Sequence, residues 1–194
     1  MYIFLKQFGL ISLLIIATLL PQNDIQFSAN ILENIIEDDI EKRIFKDNVI
    51  IRKNNMLLLT SEATYIPSEN KVILNDNVRM YDGTDSLECQ NLILYEKEYK
   101  HFKAFGNVRF YKNNQIIKSG KMEYTDNPNM NSTKINLYDN AEIIDSNRVV
   151  LGDTLYINYM DSLINNMNII SNAKVINYRY AKYNKNKNYQ KLID

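Results

Sequence analysis

The sequence contains no tryptophan, one cysteine and one histidine among its 194 residues. A disulfide within the chain is therefore excluded, and so is a metal cluster built from histidine and cysteine. His101 has no nucleophile motif to accompany it, since no G-x-S-x-G, P-loop or H-E-x-x-H pattern occurs. We expect no catalytic residue, no metal and no cofactor. We interpret Cys89 as a small buried hydrophobe and His101 as a surface or strand-edge residue.

Glycine and proline are also scarce, at five and three residues, and the net charge is zero. The scarcity of glycine and proline excludes a collagen-like chain and a flexible linker. A balanced charge argues against a nucleic-acid binder, which needs a basic face to neutralise phosphates. What the chain does contain is 14 tyrosines and many strand-favouring residues, in a length that suits one domain with a real core.

The chain opens with the apolar stretch MYIFLKQFGLISLLIIATLLPQN. Lys6 is its single charge, and Pro21 ends the apolar run that begins at Phe8. A short positive region before 7–15 apolar residues is typical of a secretory signal. Because Met1–Leu5 are apolar too, an uncleaved membrane anchor is the alternative. We assign residues 1–23 to a signal peptide or N-terminal anchor, and we expect the protein to be exported.

A nine-residue phrase recurs five times in the rest of the chain, as in GNVRFYKNN at 106–114. Each phrase contains an asparagine that serves as position zero, and the asparagines are 29, 30, 33 and 32 residues apart. They are Asn48, Asn77, Asn107, Asn140 and Asn172. Repeats with such a period indicate stacked supersecondary units.

Apolar residues alternate with polar ones along each phrase. Positions +1 and +3 are apolar in all five repeats, whereas position +2 is charged in four. In the last four repeats positions −5 and −3 are apolar as well, with the same parity. Strict alternation predicts a strand with one buried face, whose register is well specified.

Two polar features interrupt the alternation. Position −1 is Asp, Gly or Ser, and we interpret this residue and the following asparagine as a bend or bulge where a long strand turns a corner. A polar residue that faces the interior is the alternative. In the first four repeats, positions +5 to +7 are turn formers such as KNN and DGT, and a second apolar strand follows each of them.

These patterns predict an all-β, antiparallel fold of consecutive hairpins stacked along one axis, either an elongated jellyroll or a folded-over sheet. The segment IQFSANILE supplies the opening strand, while NIIEDDIEKRIF is ambiguous between a strand pair and a helical turn. We place the β domain at residues 24–178. Residues 179–194 are rich in lysine, asparagine and tyrosine and read as a basic polar tail.

The phrases FKDNVIIRKNN, LNDNVRMYDGT, FGNVRFYKNN and LYDNAEIIDSN resemble those of the OstA-like (organic solvent tolerance, LptA/LptC) lipopolysaccharide-transport family. The resemblance covers roughly Ile25 to Asn177. It departs from the family at position −1, where glycine survives only at Gly106.

The resemblance implies a half-open β-jellyroll that carries lipopolysaccharide across the periplasm between the inner and outer membranes. Its implied partners are the acyl chains of lipid A, other proteins of this fold joined through edge strands, and further copies of the chain stacked head to tail. We take the inward positions of the repeat as candidate lipid contacts. They are Val49, Ile51, Val72, Leu74, Val78, Met80, Phe102, Val108, Phe110, Ile135, Leu137, Ile143, Ile169 and Val175.

Other interpretations stay open. An uncleaved N-terminus would make the chain an LptC-like adaptor anchored in the inner membrane. The same apolar residues could fill the closed core of a structural β-solenoid that binds no lipid. An enzyme is the third class, in which scattered carboxylates such as Asp76, Asp139 and Asp153 would pair.

Overall fold

The computed structural model describes residues 25–96, 100–161, 163–180 and 191–193. The segment 1–23, expected to be a signal or anchor, lies outside the described residues. Within the described part of the chain, no helix is long and apolar enough to cross a membrane.

Thirteen strands, β1 to β13, form one antiparallel sheet in the described residues. They span Gln26–Ser28, Ile31–Glu37, Ile40–Lys53, Met56–Ile66, Lys71–Asp82, Asp85–Tyr95, Lys100–Lys112, Gln115–Asn127, Ser132–Ile144, Arg148–Met160, Leu163–Ile170, Lys174–Tyr180 and Lys191–Ile193. From β3 to β10 each strand pairs with the next one in sequence. The predicted all-β fold of consecutive antiparallel hairpins is confirmed.

The asparagine of every repeat marks a sharp bend in its strand. Both residues of the −1/0 pair have positive φ in all five repeats, between 48° and 73°. Asp and Asn enter this left-handed region more readily than other residues that carry a Cβ. The pairing register of the adjacent strands also shifts at this point, for example between Phe105 and Val108. The residue pairs at positions −1 and 0 are therefore corners, as predicted.

The corners fold the sheet over on itself. Phe102 and Phe110 lie on opposite sides of the corner in β7, and their ring centroids are 6.5 Å apart. Eight residues of straight strand would separate them by about 26 Å. The part of each strand before its corner thus faces the part after it. We call these two layers the first and second half-sheets: the first contains the start of β3, and the second contains its end.

The space between the half-sheets is filled by the inward side chains. Val72, Leu74, Phe102 and Ile135 have no exposed surface, and Met80 is 1% exposed. The outward position +2 carries side chains such as Arg79 and Arg109, which are exposed. The alternation in the sequence therefore marks the two faces of the folded sheet correctly.

The ambiguous segment NIIEDDIEKRIF is a strand pair. It forms the hairpin of β2 and β3, and Asp38 and Asp39 supply the two positive-φ residues of a tight turn. The polar breaks that contain proline become short 3₁₀ turns at Pro67–Glu69 and Pro128–Met130.

The two ends of the sheet are built alike. β1 and β2 pair with opposite parts of β3, so together they act as one bent edge strand. β11 and β12 pair in the same manner with β10. The sheet is not closed. Among the described residues, the outer edges of β1, β2 and β11 pair with no further strand, whereas β13 pairs with the end of β12. β13 lies in the segment expected to be a polar tail.

One residue of the apolar set departs from the expected burial. Val175, at position +3 of the last repeat, is 51% exposed. The sequence cannot signal this difference, because Val175 obeys the same alternation as its equivalents. It is exposed because it lies on the last bent strand, beyond which no further unit of the repeat covers the interior.

Candidate functional site

The candidate site is the apolar interior between the half-sheets. Of the fourteen predicted lipid-contact residues, twelve are at most 2% exposed and therefore lie in one continuous core. The other two are at the C-terminal end, where Ile169 is half-buried and Val175 is exposed. The structure thus brings the predicted set together, with its least covered members at one end.

The strands that follow the phrases, β4, β6, β8 and β10, are called the alternate strands. They supply an equal share of the buried side chains in this interior, and the predicted set omitted them. Their buried side chains include Leu58, Leu87, Leu92, Ile117, Met122, Tyr124, Leu155 and Ile157. The same alternation in segments such as MLLLTSEATY and IIKSGKMEY could have identified them. The interior therefore has two sets of walls, one from the phrases and one from the strands that follow them.

An aromatic cluster occupies the middle of the interior. Phe102 stacks on Tyr124 with ring centroids 4.7 Å apart, and Phe110 meets the same ring edge-on at 5.5 Å. Phe110 lies in the second half-sheet and the other two rings lie in the first. Aromatic pairs of this geometry add about 0.5–1.5 kcal/mol to the gain from burial. The cluster thus holds the two layers together.

Small residues line the inner side of the corners in the alternate strands, namely Thr60, Cys89, Ser119 and Gly152. Thr60 Oγ1 donates a hydrogen bond to the carbonyl oxygen of Asn75, beside the corner of β5. Cys89 Sγ donates to the carbonyl oxygen of Asn91 at 3.3 Å, and burial raises the pKa of its thiol to about 12. The predicted burial of Cys89 is confirmed, and a thiol with this pKa is a poor nucleophile.

The polar groups singled out in the sequence form no reactive constellation around these corners. Asp76 and Asp139 are exposed members of corner pairs, and Asp153 accepts hydrogen bonds from the Asn172 amide at 2.8 and 3.0 Å. His101 lies in β7, where its Nδ1 is 2.9 Å from Thr125 Oγ1. In the part of the chain that is described, no group of three His, Cys, Asp or Glu side chains could hold a metal.

The side of the fold opposite the corners, where the strand ends of the two half-sheets meet, is the mouth. Polar contacts cross it at three levels. Lys53 Nζ lies 3.5 Å from Glu96 Oε1, Lys100 pairs with Asp82, and Tyr159 Oη donates to Gln115 Oε1 at 2.8 Å. We call these six residues the mouth row. In this structure the mouth row covers the apolar interior.

Two lysines, one of them from the mouth row, converge on the ring of Tyr124. Lys100 Nζ and Lys112 Nζ each lie 5.8 Å from the ring centroid, one from each half-sheet. Lys112 is also 2.7 Å from the carboxylate of Asp85. Burial and the nearby carboxylates, Asp85 among them, raise the pKa of the Tyr124 phenol, so the ring stays neutral between its cations.

A smaller cavity of about 290 Å³ opens at the N-terminal end of the interior. Phe27 of β1 stacks on Phe45 there, with ring centroids 4.5 Å apart. Arg43 lies at its rim, where its Nε donates to Glu41 at 3.0 Å. The interior is therefore less completely filled at this end than in the middle.

A wider groove of about 840 Å³ is on the outside, along the corners. It is polar and includes Asn77, Arg79, Glu88, Asn107 and Arg109. Glu88 is the direct cross-strand neighbour of both arginines, so the charges of this wall alternate in sign. The groove follows from the bent backbone and differs in chemistry from the interior.

These features define a class of protein: a folded-over antiparallel β-sheet, or β-jellyroll, with an apolar interior, a polar mouth and two edge strands at its ends.

A search of solved structures finds chains similar to this one. One is LptH from Pseudomonas aeruginosa, described as the LptA homologous periplasmic component of the conserved lipopolysaccharide transport device. It is 14% identical, the match covers 89% of this chain and 94% of that chain, and the TM-score is 0.30. At this identity and TM-score the match assigns neither a family nor a function. No protein family and no curated protein matches the sequence.

Proposed function

We propose that this protein is a periplasmic carrier of lipopolysaccharide, which shields the acyl chains of the lipid between its half-sheets and bridges the inner and outer membranes. The observation that carries the proposal is the continuous apolar interior, which extends through β3 to β10 and has less covered residues at both ends. Transport would be passive and would need no catalytic residue.

The energetics of an acyl chain favour such an interior. Burial of each CH₂ group contributes about 0.8 kcal/mol, so a chain of a dozen carbons supplies a large driving force. Met80 and Met122 lie in the interior, and methionine adapts its shape to irregular neighbours more easily than branched side chains do. Contacts between these side chains and an acyl chain would therefore replace their contacts with one another at little cost in free energy.

The ends of the sheet support a role as a bridge. Ile36 in β2 is 78% exposed, and Leu163 in β11 is 74% exposed. Both residues lie on edge strands, and an exposed apolar edge is normally an aggregation hazard that proteins avoid. Docking by strand addition would cover these edges. We propose that they join other proteins of this fold, or further copies of this chain head to tail.

A second candidate is favoured by the closure of the interior. Leu74, Phe102 and Leu137 have no exposed surface, as expected for a structural β-solenoid that needs no lipid. The carrier and the solenoid differ in whether a lipid can reach these side chains. An LptC-like adaptor is a variant of the carrier, which retains the N-terminal segment as an anchor in the inner membrane.

Photocrosslinking in cells separates the carrier from the solenoid. A photoreactive amino acid replaces Phe110, which faces the interior, and its neighbour Arg109, which faces outward, provides the matched control. We expect a lipopolysaccharide adduct at position 110 and none at 109. If a verified carrier forms adducts in the same cells and position 110 does not, the solenoid is correct.

Mass spectrometry of the purified protein separates the soluble carrier from the anchored adaptor. A mature N-terminus near residue 24 supports a cleaved signal peptide and the carrier. An intact segment that begins at Met1 and remains with the membrane fraction supports the adaptor.

A further inference from the structure

The mouth row differs from the other ion pairs of the sheet in what it connects. On the outer face, Lys103 pairs with Glu123 at 3.2 Å and Lys118 with Glu142 at 2.9 Å, and the members of each pair are neighbours on adjacent strands. Such pairs stay intact if the two half-sheets separate. The contacts of the mouth row join one half-sheet to the other and must break.

The partners in the mouth row are also distant in sequence. Lys53 and Glu96 are 43 residues apart, and Gln115 and Tyr159 are 44 residues apart. Neither contact lies within one hairpin, so hairpin formation does not require it. Their effect is to hold closed an interior that is already filled with apolar side chains.

We propose that the mouth row is a latch, which an anionic amphiphile opens by offering its charged group to Lys100 in place of Asp82. The inference rests on the proposed function. The charged group would lie over Tyr124, where Lys100 and Lys112 already converge, while the acyl chain enters between the parted half-sheets and covers the apolar residues that parting exposes.

The charges around Tyr124 suit such an exchange. Lys100 and Lys112 each have an aspartate partner, Asp82 and Asp85, and the two aspartates flank the turn between β5 and β6. Their side chains are only 14–27% exposed, so a phosphate or carboxylate that takes over the lysines exchanges one partly buried ion pair for another. A neutral amphiphile has no group to exchange and must break the latch without compensation.

A reversible staple across the mouth tests the latch. Cysteines replace Lys53 and Glu96 in a Cys89→Ala background, and a bifunctional methanethiosulfonate reagent with a short spacer links them. Binding of dodecyl phosphate is then measured by calorimetry before and after reduction. We expect the stapled protein to lose binding and the reduced protein to recover it.

The matched control staples two neighbouring strands of one half-sheet. Ser86 and Tyr111 are cross-strand partners in the second half-sheet, so a Ser86→Cys/Tyr111→Cys staple leaves the mouth free to open. We expect this protein to bind as well as the unstapled chain. Equal binding by both stapled proteins overturns the latch while the carrier function stands. A failure of the unmodified chain to bind any amphiphile overturns both.

The partner exchange has its own test in two substitutions and two amphiphiles. For neutral dodecyl maltoside, Asp82→Asn and Lys100→Gln should both raise the affinity, by roughly two- to fivefold, because each removes the same ion pair. For dodecyl phosphate, Asp82→Asn should raise the affinity, whereas Lys100→Gln should lower it because the cation is lost. If both substitutions act alike on both amphiphiles, Lys100 does not bind the charged group and the proposed exchange is wrong.

Discussion

The middle and the C-terminal end of the sheet use the same repeat to different effect. Phe110 and Val175 both occupy position +3 of their phrases, yet Phe110 is 1% exposed and Val175 is 51% exposed. The strands that carry them have the same corner and the same alternation. The difference is the number of neighbouring units, because an inner strand has a unit on each side and an end strand does not. The repeat therefore specifies which face of each strand is apolar, and the stacking of neighbouring units decides whether that face is buried.

The largest expected difference in stability between the two regions comes from truncation of their equivalent residues. Phe110→Ala should lower the free energy of unfolding by about 3–5 kcal/mol, since it leaves a cavity beside Phe102 and Tyr124. Val175→Ala should change it by less than about 0.5 kcal/mol, as for most exposed positions. Urea unfolding followed by circular dichroism measures both. A similar loss for the two variants would mean that Val175 is covered in solution.

A corner in the middle should be less tolerant than the corner at the end. Gly106 has φ +73°, and a Cβ there would lie 2.1 Å from Gln90 Oε1 and 2.9 Å from Gln90 Cβ. Gly106→Ala should therefore cost about 1–2 kcal/mol from backbone conformation alone, with the collision in addition. Ser171 already has φ 58° with a Cβ, so Ser171→Ala should cost less.

The collision at Gly106 can be separated from the backbone term by a second substitution. In the Gly106→Ala background, Gln90→Ala removes the side chain that the new Cβ meets. We expect this double variant to recover part of the lost stability in the same unfolding assay. No recovery would show that the backbone conformation carries the whole cost.

The pH dependence of stability should report the buried thiol in the middle of the sheet. The pKa of Cys89 is about 12 in the folded protein, compared with an ordinary value of 9.0. The unfolded thiol ionises first as the pH rises, so the stability that is present below pH 9.0 is lost progressively toward pH 12. Cys89→Ala should flatten this decline. An unchanged slope between the two proteins would assign the decline to other groups, such as Tyr159, whose pKa burial raises to about 12.

The smallest effect on stability is expected at the exposed end. Leu163 is 74% exposed on the edge strand β11, and Met130 is 70% exposed in the turn between β8 and β9, which are not edge strands. Leu163→Lys and Met130→Lys should each change stability by no more than about 0.5 kcal/mol. Only Leu163→Lys should reduce self-association in sedimentation velocity experiments. Equal behaviour of the two variants would argue against docking through this end.

Much of the fold was predictable because its determinants are local. The corner at Gly106–Asn107 follows from residues that tolerate positive φ, and the turn at Asn113–Asn114 has the same cause. The ambiguity of NIIEDDIEKRIF was also local, since the three-residue acidic stretch EDD permits both a turn between strands and the start of a helix. Pairing with β3 decided it in favour of a hairpin.

The candidate site was predictable only in part. Alternation identified Phe102 and Phe110 as members of one inward face. It could not show that their rings meet, because that depends on the angle of the corner between them. Tyr124 was not among the predicted contacts, because that set was drawn from the phrases alone and not from the second strand of each hairpin.

The sequence by itself thus determined the period of the repeat, the positions of the corners and turns, and the face of each strand that avoids water. These properties depend on backbone preferences and side-chain polarity over a few residues. The tertiary structure alone decided that Val175 is uncovered and that Lys100 and Asp82 close the mouth. Both depend on which half-sheet faces which, and no local pattern encodes a distance between strand ends that meet only after the sheet has folded over.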